Sequence, residues 1–393
     1  MIKFTTRPNM KYLVNLIIWS YVRDIILDVT TYLFHFSVTI IYLILSFLGE
    51  FIFGGITYLY QKRYKKRKNL TKNDTFLAIH LIINDKLKRS DSKWKIYFLI
   101  FIAGFSDFVD SILFLGLAPG LDRCSDSIEN RMRGILIIFD ALFYLFVLRL
   151  QIFKHQFFSI YVISICLIIT IIIEFIFQDI NIFLSYGKFV LLIFLIIIQI
   201  LFNSLVDSIE KYLFEYNYVN PFKVLMIEGL VGLVFGFVYC FCYNPIPELK
   251  KFYEYDQNNK KILFPYLILL SLLILILYGV QNIFRVVTNK VYSPMALALA
   301  QYFLNPIYII FTLIVKKDFE SKRGNTYLFF SLNLILTIII SLCGCVYNEF
   351  IILFFCGLQH ETYKEISFRL LCLIVKMNLI IVMFVMKKTH SNI

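Results

Sequence analysis

Glu50 and Glu228 each stand inside an apolar run, the first between "YLILSFLG" and "FIFGG", the second opening "EGLVGLVFGFVY". A charged side chain in hydrocarbon costs about 2.5 kcal/mol or more, so such residues face a cavity, a partner or the membrane edge. Others share the pattern. Asp107 and Asp110 are three apart, which puts both on one face of a helix. Gln199, Asn203 and Asp207 step by four and make a polar stripe. Gln281, Asn282 and Arg285 fall together, as do Gln301 and Asn305. Arg133 and Asp140 are seven apart, two turns along one face. Arg133 then either lines a cavity, meeting an anion or an acid, or is a structural or snorkelling arginine. Arg131 lies on another face and reaches for headgroups. Asp207 and Glu210 read equally well as interfacial caps, and Glu174 as interfacial.

These side chains suit binding of a polar solute rather than bond-making. The sequence has no phosphate-cradling glycine loop, no nucleophile elbow and no His spacing that holds a metal, so neither an enzyme nor a cofactor is expected. Cys240 and Cys242, like Cys343 and Cys345, form C-x-C pairs inside apolar runs. On a helix that spacing points the two thiols to nearly opposite faces, which suits no single metal.

The elements that position these residues follow from hydropathy. Of 393 residues, 60% are hydrophobic and 17% charged, and the mean hydropathy is +0.76. A soluble domain needs more charge to cover its surface. Apolar runs of about 20 residues recur, the length of a helix that crosses roughly 30 Å of hydrocarbon. Ten-residue alternating patterns of a membrane barrel are absent. Candidate spans are about 11–28, 33–60, 96–116, 132–150, 157–177, 188–208, 222–242, 263–283, 294–315 and 326–347. The first is weakened by Arg23, Asp24 and Asp28, and the second is overlong and extends or tilts beyond the bilayer.

The net charge of +13 is concentrated in one place. Residues 61–95 carry 12 Lys or Arg against Asp74, Asp85 and Asp91, which supplies +9 of it. Basic residues beside spans mark the cytoplasmic side and require no nucleic acid; they also suit the headgroups of a lipid bilayer. Alternation from that loop places the N-terminus on the same side. Lys154, Arg285 and Lys290 agree as loop cations, while Lys316, Lys317, Lys322 and Arg323 do not. Residues 351–393 form a tail, in which 370–386 reads as an interfacial helix in preference to an eleventh span.

The chain also repeats itself. "FFSIYVISICLIIT" (157–170) aligns with "FFSLNLILTIIISL" (329–342) at an offset of 172, and "GILIIF" (134–139) meets "PIYIIF" (306–311) at the same offset. "EFIFGGITYLY" (50–60) matches "EGLVGLVFGFVY" (228–239) more loosely. The simplest account is an all-α polytopic membrane protein of about ten helices, as two five-helix repeats, 1–178 and 179–350. Five is odd, so the repeats are inverted, a construction of secondary transporters with the site between the halves. Gly134 and Pro306, helix-weakening residues at matched places, point to the same interface.

At this point the residues resemble a family. "SFLGEFIFGGITYLYQ" (46–61), "DFVDSILFLGLA" (107–118), "NRMRGILIIF" (130–139), "VDSIEKYLFEYNYVNPFKVLMIEGLVG" (206–232) and "CGCVYNEFI" (343–351) come in the order and spacing of solute carrier family 35, the F-type branch. That branch belongs to the drug/metabolite transporter superfamily (EamA-like). The resemblance covers about 33–358. It implies ten helices in two inverted repeats, an endomembrane (Golgi, endoplasmic reticulum or lysosome-like) ahead of the plasma membrane or mitochondrion, and a small polar organic solute. Where the family's fourth-span motif resembles Gln-Met-Leu-Arg-Gly, this chain has Asn130-Arg131-Met132-Arg133-Gly134. Where the ninth span often has Arg-Thr, it has Asn305-Pro306.

The expectation is therefore transport by alternating access, with Glu50, Asp107, Asp110, Arg133, Asp140, Gln199, Asn203, Glu228, Gln281, Asn282, Gln301 and Asn305 as candidates to line the cavity. Glu50 or Glu228 would couple it to protons; interhelical hydrogen bonding is the competing role. A homodimer is left open. The alternative class is a receptor or complex subunit that keeps the fold without transporting.

Overall fold

The computed structural model describes residues 2–4, 10–34, 39–67, 92–121, 134–146, 153–177, 186–243, 263–292, 294, 297–298, 326–347 and 351–353. Nine long helices lie among them: α1 (Met10–Phe34), α2 (Thr39–Arg67), α3 (Lys93–Leu121), α4 (Ile135–Phe146), α5 (Lys154–Phe177), α6 (Tyr186–Glu215), α7 (Pro221–Tyr243), α8 (Leu263–Val291) and α9 (Thr326–Tyr347). They coincide with nine of the ten candidate spans; most of the remaining one, 294–315, lies outside the described residues. The extended structure among the described residues is one antiparallel pairing of Ile2–Phe4 with Ile351–Leu353. The rest of the tail lies outside them, as does the 370–386 segment.

Among the described residues, five helices are long and apolar enough to cross a membrane: α2 over Ile41–Arg63, α3 over Lys93–Leu113, α6 over Ile193–Glu215, α7 over Pro221–Cys242 and α8 over Ile268–Val291. Only 28–50% of the most apolar stretch of each span is buried, so their outward faces leave Ile56, Phe194, Phe237 and Leu269 exposed. Apolar surface on that scale belongs against lipid. The chain is an integral membrane protein. As the overlong second run implied, α2 continues as helix through the basic stretch to Arg67.

The helices pair in a definite order. The closest association is α2 with α7. Next come α3 with α6, α2 with α8, α5 with α9, and α1 with α8 alongside α3 with α7, followed by α4 with α6. Small residues make the central contacts. A Cβ on Gly229 would stand 2.6 Å from the backbone nitrogen of Phe51 and 2.9 Å from Glu50 Cβ, so α7 touches α2 backbone to backbone. On the other side of α2, a Cβ on Gly49 would stand 2.7 Å from the carbonyl oxygen of Leu275 in α8. Membrane helices gain from such close approach because lipid offers no hydrophobic drive to pair them. An aromatic layer of Phe47, Phe108 and Phe235 then joins α2, α3 and α7, with ring centroids 6.3 Å apart for Phe47–Phe108 and 5.5 Å for Phe108–Phe235.

The turn between α6 and α7 is built for rigidity. Tyr218 has φ of 52°, the left-handed conformation that ends many helices. The amide of Val219 donates back to the carbonyl of Leu213 at 3.1 Å, closing α6. Asn220 caps α7 by accepting from the amide of Phe222 at 3.0 Å, and Pro221 fills the first helical position, where no donor is needed. The same Asn220 amide donates to Gln61 of α2, 3.0 Å away.

Gly229→Ala should therefore lower the stability of the purified protein by about 1–3 kcal/mol, the range for forcing an atom into packed structure. Gly236→Ala should be tolerated, since its nearest neighbour is an Ile44 side-chain carbon at 3.8 Å. Thermal unfolding in detergent checks the pair. Equal loss in both would mean that backbone contact at Gly229 does not hold the α2–α7 crossing.

Candidate functional site

Six charged side chains from the five spanning helices converge inside the bundle. Glu50 comes from α2, Asp107 from α3, Asp207 and Glu210 from α6, Glu228 from α7 and Arg285 from α8. The guanidinium of Arg285 is the hub. Its Nη1 lies 3.1 Å from Asp207 Oδ1, and its Nη2 lies 2.9 Å from Glu210 Oε1 and 3.8 Å from Glu228 Oε2. Asp107 stands within Coulombic reach of Arg285, Glu50 and Glu228. Glu210 and Glu228 have no exposed surface at all.

Regular spacing brings these groups together. On α6 Gln199, Asn203, Asp207 and Glu210 follow one face in steps of four, four and three, and on α8 Asn282, Arg285 and Asn289 do the same in steps of three and four. The two stripes meet. Asn289 Nδ2 donates to the carbonyl of Asp207 and to Glu210 Oε2, both at 2.9 Å. Lys211 stays on the neighbouring face of α6 and closes the end of α8, donating to the carbonyls of Asn289, Lys290 and Tyr292 at 2.7–3.1 Å. A cation there satisfies the orphan carbonyls and the negative end of the helix dipole. Its charge is also paired with Glu215, 2.9 Å away.

Around this core the polar contacts continue. Asn282 Nδ2 donates to Glu50 Oε1 at 2.7 Å. Gln281 faces α1, donating to Ser20 Oγ at 3.1 Å and accepting from Arg23 Nη1 at 2.7 Å. Arg23, which makes the first apolar run look doubtful, thus serves an internal contact and also lies over the ring of Tyr278. Asp140 is fully buried and accepts from Ser204 of α6. Asn203 Nδ2 reaches Asp110 Oδ2 at 3.5 Å, and Gln199 is buried on the same helix.

The structure therefore gathers Glu50, Asp107, Glu228 and Asn282 into one cluster. Asp110, Asp140, Gln199 and Asn203 follow the α3, α4 and α6 side, and Gln281 follows the α1 side. Arg133, Arg131, Gln301, Asn305 and Pro306 lie outside the described residues, as does the side chain of Glu174. Of the two roles open to Asp207 and Glu210, the structure selects the internal one: both are buried against Arg285 rather than capping at the interface. One reading needs correcting. Arg285 is not a loop cation reporting orientation, because α8 runs on to Val291 and encloses it. Average hydropathy misses this, since the last turns of α6 and α8 are polar yet pack on each other. The three- and four-residue spacing of Asn282, Arg285 and Asn289 is the signal that could have found it.

Among the described residues, no group of three His, Cys, Asp or Glu side chains comes close enough to hold a metal ion. Among the described residues the arrangement instead sets five carboxyl groups around one guanidinium, enclosed by apolar helices. Removing Arg285 would leave its carboxylates buried and uncompensated, a change that typically costs about 3–5 kcal/mol. Arg285→Gln should therefore be among the most destabilising single substitutions in the chain. Stability restored by adding Asp207→Asn and Glu210→Gln to it would show that the lost charge, rather than lost packing, is the cause.

No protein-family model matches the chain, and no curated protein matches it closely enough to count as a relative.

Proposed function

We propose that the chain is a secondary transporter of a small polar organic solute, working by alternating access, of the kind that its resemblance to the F-type branch of solute carrier family 35 implies. The observation that carries this reading is the enclosed polar cluster where α2, α3, α6, α7 and α8 meet. Such a costly set of groups inside a membrane protein is a functional-site hypothesis by default.

The helix pairings support two inverted five-helix repeats. Exchange of the halves would interchange α1 with α6, α2 with α7, α3 with α8 and α5 with α9. The α2–α7 and α5–α9 pairs map onto themselves under that exchange. The α3–α6 pair maps onto α1–α8, and the α3–α7 pair onto α2–α8; all of these pairs are in contact. The α4–α6 pair has its counterpart where Leu297, at the start of the 294–315 run, packs against Leu13 and Leu16 of α1. Helices α5 and α9 begin at Lys154 and Thr326, an offset of 172 that equals the offset of their sequence match. In inverted-repeat transporters the site lies where the halves meet, and here the α2–α7 contact and the acid cluster occupy that meeting place. An endomembrane location, proton coupling and a homodimer belong to the same proposal.

Purified protein screened against a metabolite panel for thermal stabilisation, followed by liposome uptake of any hit, tests the reading. A stabilising solute whose uptake is lost in Arg133→Ala and in Glu228→Gln is the expected result. If no solute stabilises the protein and another protein co-purifies with it stably, the chain is a receptor or complex subunit instead. For coupling, uptake should respond to a pH gradient and fall in Glu50→Gln. Uptake indifferent to both would overturn proton coupling through Glu50.

A further inference from the structure

Helices α3 and α7 run side by side in the same direction: Tyr97 meets Lys223, Gly104 meets Glu228 and Phe108 meets Phe235. Their outward faces differ in chemistry from one end to the other. On α3, Trp94, Phe98, Phe101 and Phe105 follow one face in steps of four, three and four, and all are exposed, from 81% at Trp94 to 39% at Phe105. On α7, Lys223, Leu230 and Val234 share a face in steps of seven and four, and the two apolar members are exposed. Phe235 joins the helices between these faces, its ring centroid 6.0 Å from that of Phe101 and 5.1 Å from that of Phe105. The result is an aromatic seam open to the bilayer, with cations at one end only.

That end is built as a set of donors. Lys223 Nζ donates to the Tyr97 hydroxyl at 2.9 Å, and a hydroxyl that accepts there keeps its own hydrogen to donate. Lys93 stands four residues before Tyr97, on the same side of α3, and is exposed. Among the described residues the ion pairs belong to Lys211 and Arg285, and neither Lys93 nor Lys223 meets a carboxylate. Lys95 is not part of the set: it turns to α6, 5.9 Å from the ring centroid of Tyr212. Two ammonium groups flanking a donating hydroxyl suit an anion with several acceptor oxygens. Trp94 beside them is the side chain that settles at the level of lipid headgroups. From Tyr97 to Phe105 the seam descends about 12 Å at the rise of a helix, which keeps it within one leaflet of a core roughly 30 Å thick.

We infer that the α3–α7 seam binds one acidic phospholipid, its phosphate held by Lys93, Lys223 and the Tyr97 hydroxyl and an acyl chain lying along Phe98, Phe101 and Phe105. The lipid belongs to the leaflet on the side of the basic 61–95 segment, because α3 begins where that segment ends. A zwitterionic headgroup fits less well, since its own cation would stand among the lysines. The site is separate from the buried acid cluster and does not rest on the transport reading.

The purified full-length chain in detergent tests this, with dioleoyl phosphatidylglycerol as the acidic probe and dioleoyl phosphatidylcholine as its zwitterionic match. Phosphatidylglycerol should raise the melting temperature and stay attached, one per chain, in native mass spectrometry; phosphatidylcholine should do neither. Lys93→Gln and Lys223→Gln should each weaken the binding about fivefold, the effect of one lysine near an anionic headgroup. Tyr97→Phe should weaken it while keeping the ring, and melting without lipid verifies that each variant folds. Lys154→Gln removes an equal charge from the exposed start of α5 and should bind as wild type does. Equal weakening by all three lysine variants means diffuse attraction to a basic surface and overturns the site, as does equal stabilisation by the two lipids. Inorganic phosphate that stabilises the chain as well as phosphatidylglycerol does would assign the lysines to a free anion and overturn the lipid.

Discussion

One guanidinium sets the terms for the interior of this protein. Arg285 enters from α8 and is met by carboxylates of α6 at 3.1 and 2.9 Å and of α7 at 3.8 Å. In water such pairs would contribute little. Between apolar helices each partner depends on the others, because an acid left alone there is far more costly than one that is paired. The contact therefore ties α6, α7 and α8 together by penalty as much as by attraction. Asn289 and Lys211 extend the tie along the same two helices through neutral and charged hydrogen bonds. Among the described residues one cation stands among five acids, and the chemistry of the interior begins with that excess.

The excess is held in place by backbone contact. Gly229 allows α7 to sit directly on α2, and Gly49 with Gly279 allows α8 to do so from the other side. Helices this close leave no room for side chains to swing away, so Glu50 and Glu228 keep their positions beside the crossing. Larger residues at those glycines would separate the helices and open the acids to rearrangement. Small-residue packing and buried charge are thus one device: the first brings the backbones together, and the second fixes which faces meet.

Much of this was legible in the residues alone, and the limit has a physical cause. Glu50, Asp107 and Glu228 stand out because their neighbours on both sides are apolar, and a charge in the middle of such a run has no cheap explanation. Nine helices fall where apolar runs place them, and the α5–α9 offset follows the sequence match. Asp207 and Glu210 read two ways in sequence, and Arg285 reads as a loop cation, because all three stand near the ends of their runs, where hydropathy averages a buried polar face with a solvated one. Only the neighbouring helix distinguishes the two cases, and which helix is neighbour depends on contacts between residues 207 and 285, far apart in the chain. Arg23 shows the same limit: its charge weakens the first span, which is not among the helices apolar enough to cross a membrane, and composition alone does not reveal that its partner is Gln281 of α8.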